Sequence, residues 1–378
     1  MSALGSSGKQ IWAQYLTNNH TFKNKTFNTF ESLVSSLSDA DWNSVHKLKE
    51  VTHYKDVDPS VLLAIAVSRK AVAKVSWNDK SFGVNIGSSR GATTLFEKYH
   101  LEFLNHKKGY VSTLSSPTTT LGNISSWVGH DLQSNGPTIS HSIACSTALH
   151  AILNGIAWIT SGMADRFLVG GSEASNTPFT VAQMRALKIY SNDSSAYPCK
   201  TLDFNKKQNT MILGEGAAVF CIEKGTKKEA IAIIEGIGYA TEPLKHNISI
   251  STNADCFQKS MAMAIETVEL EAIDVIVMHA PGTLKGDTSE HNAIKQVFKD
   301  KIPALTSNKW KIGHTLGASG GLSLELAINM LQQQQFVPIP FLKDQKYPNK
   351  INKILVNAVG FGGNAVSLLV SINQKELK

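Results

Sequence analysis

The sequence predicts an α/β fold in which β-sheets are buried between helices. Short apolar runs, rich in β-branched residues and bounded by glycine, recur along the chain, and helical patterns separate them. Strands that alternate with helices in this way favour layered architectures with largely buried sheets. The 378 residues, 42% of them apolar and 18% charged, can fill one or two large cores, which excludes a small stapled fold and general disorder.

The predicted elements follow one another along the chain. Residues 9–75 show the apolar spacing of helices. Strand-length apolar runs then occupy residues 83–87, 167–171, 216–222, 231–234, 274–278, 354–356 and 366–370. Helical windows lie between them at residues 146–163, 178–187, 254–271, 289–299 and 319–335.

No low-complexity linker divides the chain into separate modules. The charged segment 223–229 is the best candidate for a joint, and it divides the chain into lobes 1–225 and 226–378. A weak internal similarity favours two related lobes, because each has a helical window, a strand and a glycine pair, at Gly170-Gly171 and at Gly362-Gly363. Coincidence is an equally good explanation of this similarity.

The composition excludes several classes of function. The formal net charge is +7, and the basic residues are scattered, which argues against nucleic-acid binding and suits an acidic partner or plain solubility. No apolar run of about 18 residues occurs, so no membrane span is predicted, and the N-terminus lacks a secretion-signal pattern. The four cysteines lack metal-binding spacing and are expected to be reduced thiols of a cytoplasmic protein.

Cys145 lies where an extended run gives way to a helical window. The free amides and the dipole at a helix N-terminus favour a thiolate, so the thiol pKa is expected to fall from about 8.5 toward roughly 3.5–7.5. The alternative interpretation is that Cys145 serves only as a small, buried, apolar side chain. That interpretation is adopted for the other cysteines, Cys199, Cys221 and Cys256.

Two histidines have unusual settings. His279 follows the run 274–278 and opens a turn, so its ring is expected at the end of a buried strand, where active-site groups of α/β proteins gather. His314 lies in a glycine-rich turn, whose backbone can approach a ligand closely. The alternative for His279 is a buried structural histidine. The alternative for the glycine-rich turn around His314 is a loop that packs against a helix. His150, on the helix behind Cys145, is assigned to packing.

The segment 360–363 places three glycines around Phe361 at the end of the run 354–356. Such a turn could aim backbone amides at an oxyanion while the aromatic ring acts as a swinging wall, and a plain tight turn is the alternative. A cysteine, two histidines and an amide-bearing turn, all at boundaries between elements, are the groups that covalent acyl transfer uses. The combination therefore predicts acyl transfer through a cysteine thioester.

With these residues, the sequence resembles the β-ketoacyl-acyl carrier protein synthases, the elongating condensing enzymes of the thiolase superfamily. The resemblance runs from about residue 3 to residue 371. Its motifs are Gly136-Pro137 leading to Ala144-Cys145-Ser146, Gly170-Gly171-Ser172-Glu173, the box His279 to Gly286-Asp287 and Glu290, Lys309 before Gly313-His314, and Gly360-Phe361-Gly362-Gly363. It implies a thiolase-like fold, with two related α/β lobes in five layers (αβαβα) and an acyl pocket at their junction.

The resemblance also implies roles for the motif residues. Cys145 would receive the acyl group from carrier-protein phosphopantetheine, and His279 and His314 would assist decarboxylation of the malonyl group and stabilise the enolate. Lys309 would tune the charge of His314. The further implied roles are an oxyanion hole or gate at Cys145 and Phe361, and substrate binding by Thr283, Phe361 and Gly362. No metal and no protein-bound cofactor are expected.

The implied partners are acyl carrier protein and a second subunit. Arg69, Lys70 and Lys74 are candidate docking residues for the acidic carrier protein, and the second subunit would give a homodimer or a heterodimer with a chain-length-factor-like protein. The alternative function is that of such a non-catalytic partner subunit. A degradative thiolase is disfavoured because no cysteine follows Cys256, and a CoA-dependent starter-unit synthase is disfavoured because His314 stands where it would have asparagine.

Several departures from the family pattern favour a specialised polyketide or polyene pathway over housekeeping fatty acid synthesis. The first histidine box reads His279-Ala280-Pro281, which leaves Thr283 alone to hold pantetheine. Ser323 stands where many members have an acidic residue, and Glu325 lies two positions further on. Asn364-Ala365 replaces the common Thr-Asn. The chain also starts where the family's first strand should already have ended, so one core strand is expected to be absent.

Overall fold

Two stacked β-sheets form the centre of the protein. The computed structural model describes residues 1–121, 123–225, 229–243 and 250–373. The first part of the chain contains α1 (Gly8–Tyr15), β1 (Lys23–Phe27), β2 (Phe30–Ser35), α2 (Asp39–His46), α3 (Pro59–Val72), β3 (Gly83–Gly87), α4 (Thr93–Asn105), α5 (Ser115–Thr119), α6 (Asn123–Leu132), β4 (Thr138–Ile139), α7 (Thr147–Thr160), β5 (Arg166–Glu173), α8 (Pro178–Ala186), β6 (Leu213–Gly214) and β7 (Gly216–Glu223). The second part contains β8 (Ala232–Thr241), α9 (Asp255–Ala264), β9 (Val275–Val277), α10 (Leu284–Phe298), β10 (Ala304–Thr306), α11 (Lys309–Ile312), α12 (Ser319–Gln333), β11 (Lys353–Gly360) and β12 (Asn364–Ile372).

The two sheets share one strand order. The first runs β4-β3-β5-β7 and the second runs β10-β9-β11-β12-β8. In each sheet the first three strands are parallel, and β7 or β12 is antiparallel to its neighbour. The strand β8 lies beside β12 in the second sheet. In the described part of the first sheet, Met1 and Ser2 take that place beside β7, where Met1 exchanges two backbone hydrogen bonds with Ala217 and Ser2 forms an isolated bridge with Gly216.

The shared strand order relates the two halves, whereas the glycine pairs do not. Gly170-Gly171 lies inside β5, but Gly362-Gly363 follows the end of β11, so the two pairs occupy different positions in equivalent strands. Three positions of the candidate joint, 226–228, lie outside the described residues.

The sheets enclose one layer of helices and are covered by two more. Phe167 and Val169 of β5 pack with α7 and α12, whereas Leu168 packs on the opposite face with α3 and α6. In β11, Ile354 joins the central cluster and Leu355 joins the cluster of α9 and α10. The layers therefore run helix, sheet, helix, sheet, helix, and the predicted thiolase-like α/β fold is confirmed.

The prediction of helices throughout residues 9–75 is wrong between α1 and α2. There β1 and β2 form an antiparallel hairpin with a two-residue loop between Phe27 and Phe30, and β2 also pairs with β6. The first four residues of β1 are exposed, so no apolar alternation marks the strand. Asn28, at the start of the two-residue loop, is the sequence signal that could have indicated the hairpin.

The strand β8 extends well beyond the predicted run 231–234. Gly236 and Gly238 interrupt the apolar pattern, but they do not end the strand, because helix α9 lies directly on its backbone. A Cβ atom at these positions would collide with the carbonyl oxygens of Ala264 and Ser260 respectively. Of the other predicted strands and helical windows, β3 has the predicted bounds and the rest are present with shifted ends. The strands β4 and β10 and the helices α4 and α6 were not predicted. Within the described ranges, no helix is long and apolar enough to cross a membrane.

Candidate active site

Cys145 lies in the tight turn that leads from β4 into α7, one residue before the helix N-cap Ser146. Ala144 has a φ of +44°, a left-handed conformation that is strained for a residue with a side chain. The Thr147 hydroxyl holds the turn, because it accepts the Ile143 amide at 2.9 Å and donates to the Ala144 carbonyl at 2.6 Å. The sequence thus fixes the thiol at the start of the helix by local hydrogen bonds.

Burial decides the protonation state of this thiol. Cys145 is 6% exposed and packs in an apolar cluster with Leu316. Desolvation and the charge of Glu173 raise the thiol pKa to about 12, against smaller opposing effects of Arg90 and Lys309. The expected lowering of this pKa is therefore wrong, because burial outweighs the helix end, and the resting group is a thiol.

His279 and His314 form the second part of the site. His279 follows β9 and His314 lies between α11 and α12, yet their ring centroids are only 5.1 Å apart and the ring planes are 84° apart. The Nδ1 atom of each ring is buried and has no hydrogen-bond partner among the described residues. Burial lowers both pKa values, that of His314 to about 3, and the charge of Lys309 adds to the effect. Both rings are therefore neutral imidazoles at neutral pH.

Two buried carboxylates hold the loops that carry these groups. Glu290 of α10 accepts hydrogen bonds from the backbone amides of His279 and Ala280, at 2.9 and 2.8 Å. Ala280 has a φ of +23°, so Glu290 stabilises a strained turn directly beside a candidate catalytic ring.

Glu173, at the end of β5, connects two further loops. It accepts hydrogen bonds from the Ser89 and Arg90 amides at 2.9 and 3.1 Å and from the Gly317 amide at 2.8 Å. Burial raises the pKa of Glu173, and likewise that of Glu290, to about 7. Neither holding role was predicted, although both residues belong to the motifs. An acidic residue at the end of an apolar strand is the signal that could have revealed Glu173.

Lys309, the first residue of α11, is buried next to these loops. Its Nζ donates to the Ser323 hydroxyl at 3.2 Å and to Asn308 Oδ1 at 3.4 Å, and no carboxylate of the described chain pairs directly with it. Burial lowers its pKa to about 8. Its charge reaches Cys145 and His314, whose pKa values it lowers. Ser323 therefore leaves this lysine hydrogen-bonded but without an adjacent acid.

The turn 360–363 joins β11 to β12 and lies against the Cys145 turn. A Cβ atom added at Gly360 would lie 2.5 Å from the Ile143 carbonyl oxygen and 3.2 Å from Ser146 Oγ. Gly362 has a φ of +101°, which only glycine adopts readily. Phe361 is 43% exposed at the tip of this turn. The second lobe therefore touches the turn of the candidate nucleophile through glycine backbone.

Thr283 directly precedes α10 and, as its N-cap, accepts a hydrogen bond from the Gly286 amide at 3.1 Å. The preceding residue, Gly282, donates its amide to Asp287 at 2.9 Å, and its carbonyl accepts the Thr210 hydroxyl at 2.8 Å. The Thr283 turn is thus fixed on both sides, close in sequence to His279.

The remaining candidates are structural. His150 lies within 3.2 Å of the Ser146 carbonyl through Nδ1, in agreement with the packing role assigned to it. All four cysteines are free. Cys199 and Cys256 are buried and Cys221 is partly buried, and burial raises the pKa of each thiol. Within the described ranges, no three His, Cys, Asp or Glu side chains are grouped so that they could hold a metal ion.

The five layers are those of a thiolase-like fold. The first half of the chain supplies a thiol and the second half supplies two neutral imidazoles, and both lie where the halves meet. This is the architecture of a condensing acyltransferase. The comparison with known proteins identifies the family. Residues 16–228 match the beta-ketoacyl synthase N-terminal domain and residues 231–342 match the C-terminal domain. The chain belongs to the beta-ketoacyl synthase family and is an acyltransferase of the condensing type, as the sequence predicts.

Curated relatives align with most of the chain. It is 26% identical to the 3-oxoacyl-[acyl-carrier-protein] synthase 2 of Coxiella burnetii (strain RSA 493 / Nine Mile phase I), covering 84% of this chain and 86% of the relative. It is also 26% identical to the enzyme of the same name from Staphylococcus aureus (strain N315), covering 97% and 95%.

Solved structures share the fold. A beta-ketoacyl synthase from Burkholderia phymatum STM815 superimposes with a TM-score of 0.86 at 22% identity, covering 99% of this chain and 97% of the other. The ishigamide ketosynthase/chain length factor gives 0.84 at 19% identity, covering 98% and 96%. A chain of the structure of a type II PKS acyl-carrier protein in complex with its ketosynthase has a TM-score of 0.84 at 17% identity, covering 98% of this chain and 97% of the other.

Proposed function

We propose that the protein is a β-ketoacyl-ACP synthase that catalyses the decarboxylative Claisen condensation of malonyl-ACP with an acyl thioester held on Cys145, in fatty acid or specialised polyketide or polyene synthesis. The observation that carries the proposal is the pair of neutral imidazoles, 5.1 Å apart, each with a buried and unpartnered Nδ1 atom. Two neutral rings held this close together can each donate a ring N–H to one oxygen on which negative charge develops.

In the first step the Cys145 sulfur attacks the carbonyl carbon of the acyl thioester on the carrier protein. The new S–C bond forms as the bond to the pantetheine sulfur breaks. Because the pKa of Cys145 is about 12, the thiol carries its proton into this step, and that proton leaves with the pantetheine thiol. The backbone amides of Cys145 and Phe361 would stabilise the oxyanion that forms on the carbonyl oxygen.

In the second step malonyl-ACP replaces the free carrier protein. Loss of carbon dioxide leaves an enolate, whose oxygen takes hydrogen bonds from the N–H groups of His279 and His314. Neutral imidazoles suit this task, because each can donate to a developing oxyanion without first losing a proton. The enolate carbon attacks the carbonyl carbon of the Cys145 thioester and forms the new C–C bond while the S–C bond breaks. The leaving sulfur takes up a proton from solvent, which restores the thiol, and the chain is two carbons longer.

Lys309, Phe361, Gly362 and Thr283 support these steps in the proposal. Lys309 supplies a positive charge that adds to the effect of burial in lowering the pKa of both imidazoles. Phe361, at the tip of the glycine-rich turn, gates the acyl pocket, and Gly362 lets the turn approach the substrate. Thr283 hydrogen-bonds the pantetheine arm. The substrates travel on the phosphopantetheine of acyl carrier protein, and we propose no metal and no cofactor bound by the chain itself.

A carrier protein and a second subunit complete the proposed assembly, in the cytoplasm, where reduced cysteines are expected. Arg69 is a poor docking residue, since it is paired with Asp131, and Lys70 donates to the Ser6 carbonyl. Exposed apolar side chains of the first lobe support subunit pairing through that lobe. Phe96, Leu121 and Phe179 are exposed and line one cleft. A dimer of the purified chain would indicate a homodimer, and a monomer would indicate that it needs a different subunit.

The second candidate is a non-catalytic, chain-length-factor-like partner subunit. The fully protonated thiol and the lack of an acid beside Lys309 favour it. The retained histidine pair argues for the condensing enzyme, because a subunit without chemistry has no use for two neutral imidazoles held side by side.

The test uses the purified protein with acyl and malonyl carrier proteins. Mass spectrometry should show an acyl adduct on Cys145 and a condensed product. Cys145→Ala should abolish the adduct, and Cys221→Ala, at a partly buried cysteine in β7, should not change it. The absence of an adduct at every acyl length would reject the proposal in favour of the partner subunit. Full decarboxylation by His279→Ala would reject the role of that histidine.

A further inference from the structure

His141, four residues before Cys145, has both ring nitrogens within hydrogen-bond distance of a neighbour. Its Nδ1 atom lies 3.0 Å from Asn85 Oδ1, and its Nε2 atom lies 3.3 Å from the Thr147 carbonyl oxygen. Asn85 is fully buried at the centre of β3, and Thr147 is the first residue of α7. The ring therefore connects a buried strand to the helix that follows the Cys145 turn.

The contact with Thr147 closes the chain around Cys145. Positions 141 and 147 lie on either side of the cysteine, and the Thr147 hydroxyl already binds the Ile143 amide and the Ala144 carbonyl. Thr147 thus holds the turn through its side chain and His141 through its carbonyl oxygen, which has two lone pairs. Because Ala144 is strained at a φ of +44°, the turn keeps its shape only while such contacts hold it.

The end of β3 supports the same segment. A Cβ atom at Gly87, the last residue of β3, would lie 2.6 Å from the His141 carbonyl oxygen and would collide with Thr147 Cγ2. Both ends of the segment around Cys145 therefore rest on the backbone of β3, two residues beyond Asn85. The strand and the histidine ring together fix where the thiol lies.

The Thr147 carbonyl decides which nitrogen of His141 carries the proton. A carbonyl oxygen only accepts hydrogen bonds, so Nε2 must be the donor, and in a neutral ring Nδ1 is then an acceptor. Asn85 can meet either charge state. Its Oδ1 atom facing Nδ1 suits a charged ring, whereas the turned amide would present Nδ2, a buried atom with no other partner in the described chain, to a neutral ring.

We propose that His141 is a positioning residue for the acylation of Cys145, and that Asn85 keeps its Nε2–H group directed at the Thr147 carbonyl in both charge states of the ring. This inference rests on the proposed function. Neither residue is among the site residues that the sequence predicts. The pair would hold the nucleophile in place without touching the substrate.

The groups around His141 allow its charge to be followed separately. Burial lowers the pKa of His141, so the wild-type ring is neutral at neutral pH. The titratable group coupled to it is His150 of α7, whose own pKa burial lowers to about 4, so it stays neutral above pH 6. β3 faces the ring with the uncharged Asn85. Glu173, with a pKa of about 7, is present in the wild type and the variants alike, so a ratio of their rates cancels its effect.

The experiment compares the full-length wild type with His141→Phe and Asn85→Asp. Phenylalanine keeps a ring at position 141 and removes both nitrogens. Aspartate keeps the volume of asparagine but can only accept from Nδ1, so a neutral ring must carry its proton there and lose the Nε2–H group. The control is His20→Phe, at another partly buried histidine, whose Nδ1 accepts the Phe22 amide at 3.2 Å away from the Cys145 turn.

Two measurements are made from pH 6 to 9. Rapid-quench mass spectrometry gives the maximum rate of Cys145 acylation and the KM for an acyl carrier protein. Nitrogen-15 NMR of the histidine rings gives the tautomer of His141, whose signals are those that His141→Phe lacks. The second measurement needs no substrate.

We expect His141→Phe to lower the maximum acylation rate roughly tenfold, the effect of one lost hydrogen bond, and to leave KM within about twofold. The wild-type ring should be the neutral Nε2–H tautomer at pH 7. Asn85→Asp should acylate within about threefold of the wild type at pH 6, where the new carboxylate keeps the ring charged. Its rate relative to the wild type should then fall roughly tenfold by pH 9, as the ring loses its Nε2 proton. His20→Phe should stay within about twofold of the wild type throughout.

Three outcomes would overturn the inference. These are wild-type acylation by His141→Phe, a constant ratio of Asn85→Asp to wild-type rates from pH 6 to 9, or an Nδ1–H tautomer in the wild type. Residues that only stabilised the fold would lower Tm and leave that ratio constant. If Asn85→Asp fails to fold, His141→Phe and the wild-type tautomer decide. Failure of the wild type to accept any acyl group would instead refute the proposed function, and the tautomer would still test the contact with Thr147.

Discussion

The contact between Gly360 and the Cys145 turn gives a sharp test of how the two lobes share one site. In Gly360→Ala the new Cβ would lie 2.5 Å from the Ile143 carbonyl oxygen, whereas ordinary contacts begin near 3.4 Å. One of the two turns must therefore move by about 0.9 Å, the difference between these distances. Overpacking of this kind costs roughly 1–3 kcal/mol. For 378 residues the unfolding entropy is about 0.8 kcal/mol per degree, so Tm should fall by about 1–4 °C.

The larger effect should be on chemistry. A displacement of about 1 Å in a reacting group can cost on the order of 100-fold in rate, so acylation of Cys145 should slow far more than stability falls. Rapid-quench mass spectrometry of the acyl adduct and calorimetry measure the two effects. Gly8→Ala is the matched control, because no atom lies within 4 Å of its added Cβ. Wild-type acylation and Tm in Gly360→Ala would refute the contact between the two turns.

Three further predictions concern buried titratable groups. Because the Cys145 pKa is about 12, the rate of its alkylation by iodoacetamide should rise about tenfold per pH unit from pH 7 to 9. A rate that reaches a plateau below pH 8 would show that Cys145 is already a thiolate there. The pKa of Glu173 is raised from 4.5 to about 7, so its contribution to stability is complete below about pH 4.5 and is lost as the pH rises through 7. In urea unfolding, Glu173→Gln should therefore be most destabilised relative to the wild type near pH 5 and least near pH 8. A difference in the free energy of unfolding that grows as the pH rises would contradict this sign. Lys206 forms a buried 2.8 Å ion pair with Asp287, so Lys206→Met should lower the free energy of unfolding by about 3–5 kcal/mol in the same assay. Adding Asp287→Asn to that variant should recover part of the loss, because it removes the unpaired charge. A loss below about 1 kcal/mol would show that the pair is solvated.

Much of the architecture was predictable because its signals are local. Apolar runs of strand length identified seven strands of the two stacked sheets, and helical windows identified α7 and α12 between them, since burial on two faces requires continuous apolar sequence. The edge strands β4 and β10 were missed because they are only two and three residues long. The hairpin of β1 and β2 was missed because its first strand is almost wholly exposed, and β8 was predicted too short because glycine there serves helix packing. The candidate residues Cys145, His279 and His314 were found by their positions at element boundaries.

The sequence by itself determined the fold class, the family and the residues of the candidate site, because periodicity and motif spacing are properties of neighbouring positions. Tertiary structure alone decided how those residues behave. It buries Cys145 enough to raise its pKa, turns two distant histidines toward each other, and brings Gly360 of the second half against the Cys145 turn of the first. Desolvation and hydrogen bonding depend on everything that surrounds a group, and those surroundings come from elements far apart in sequence.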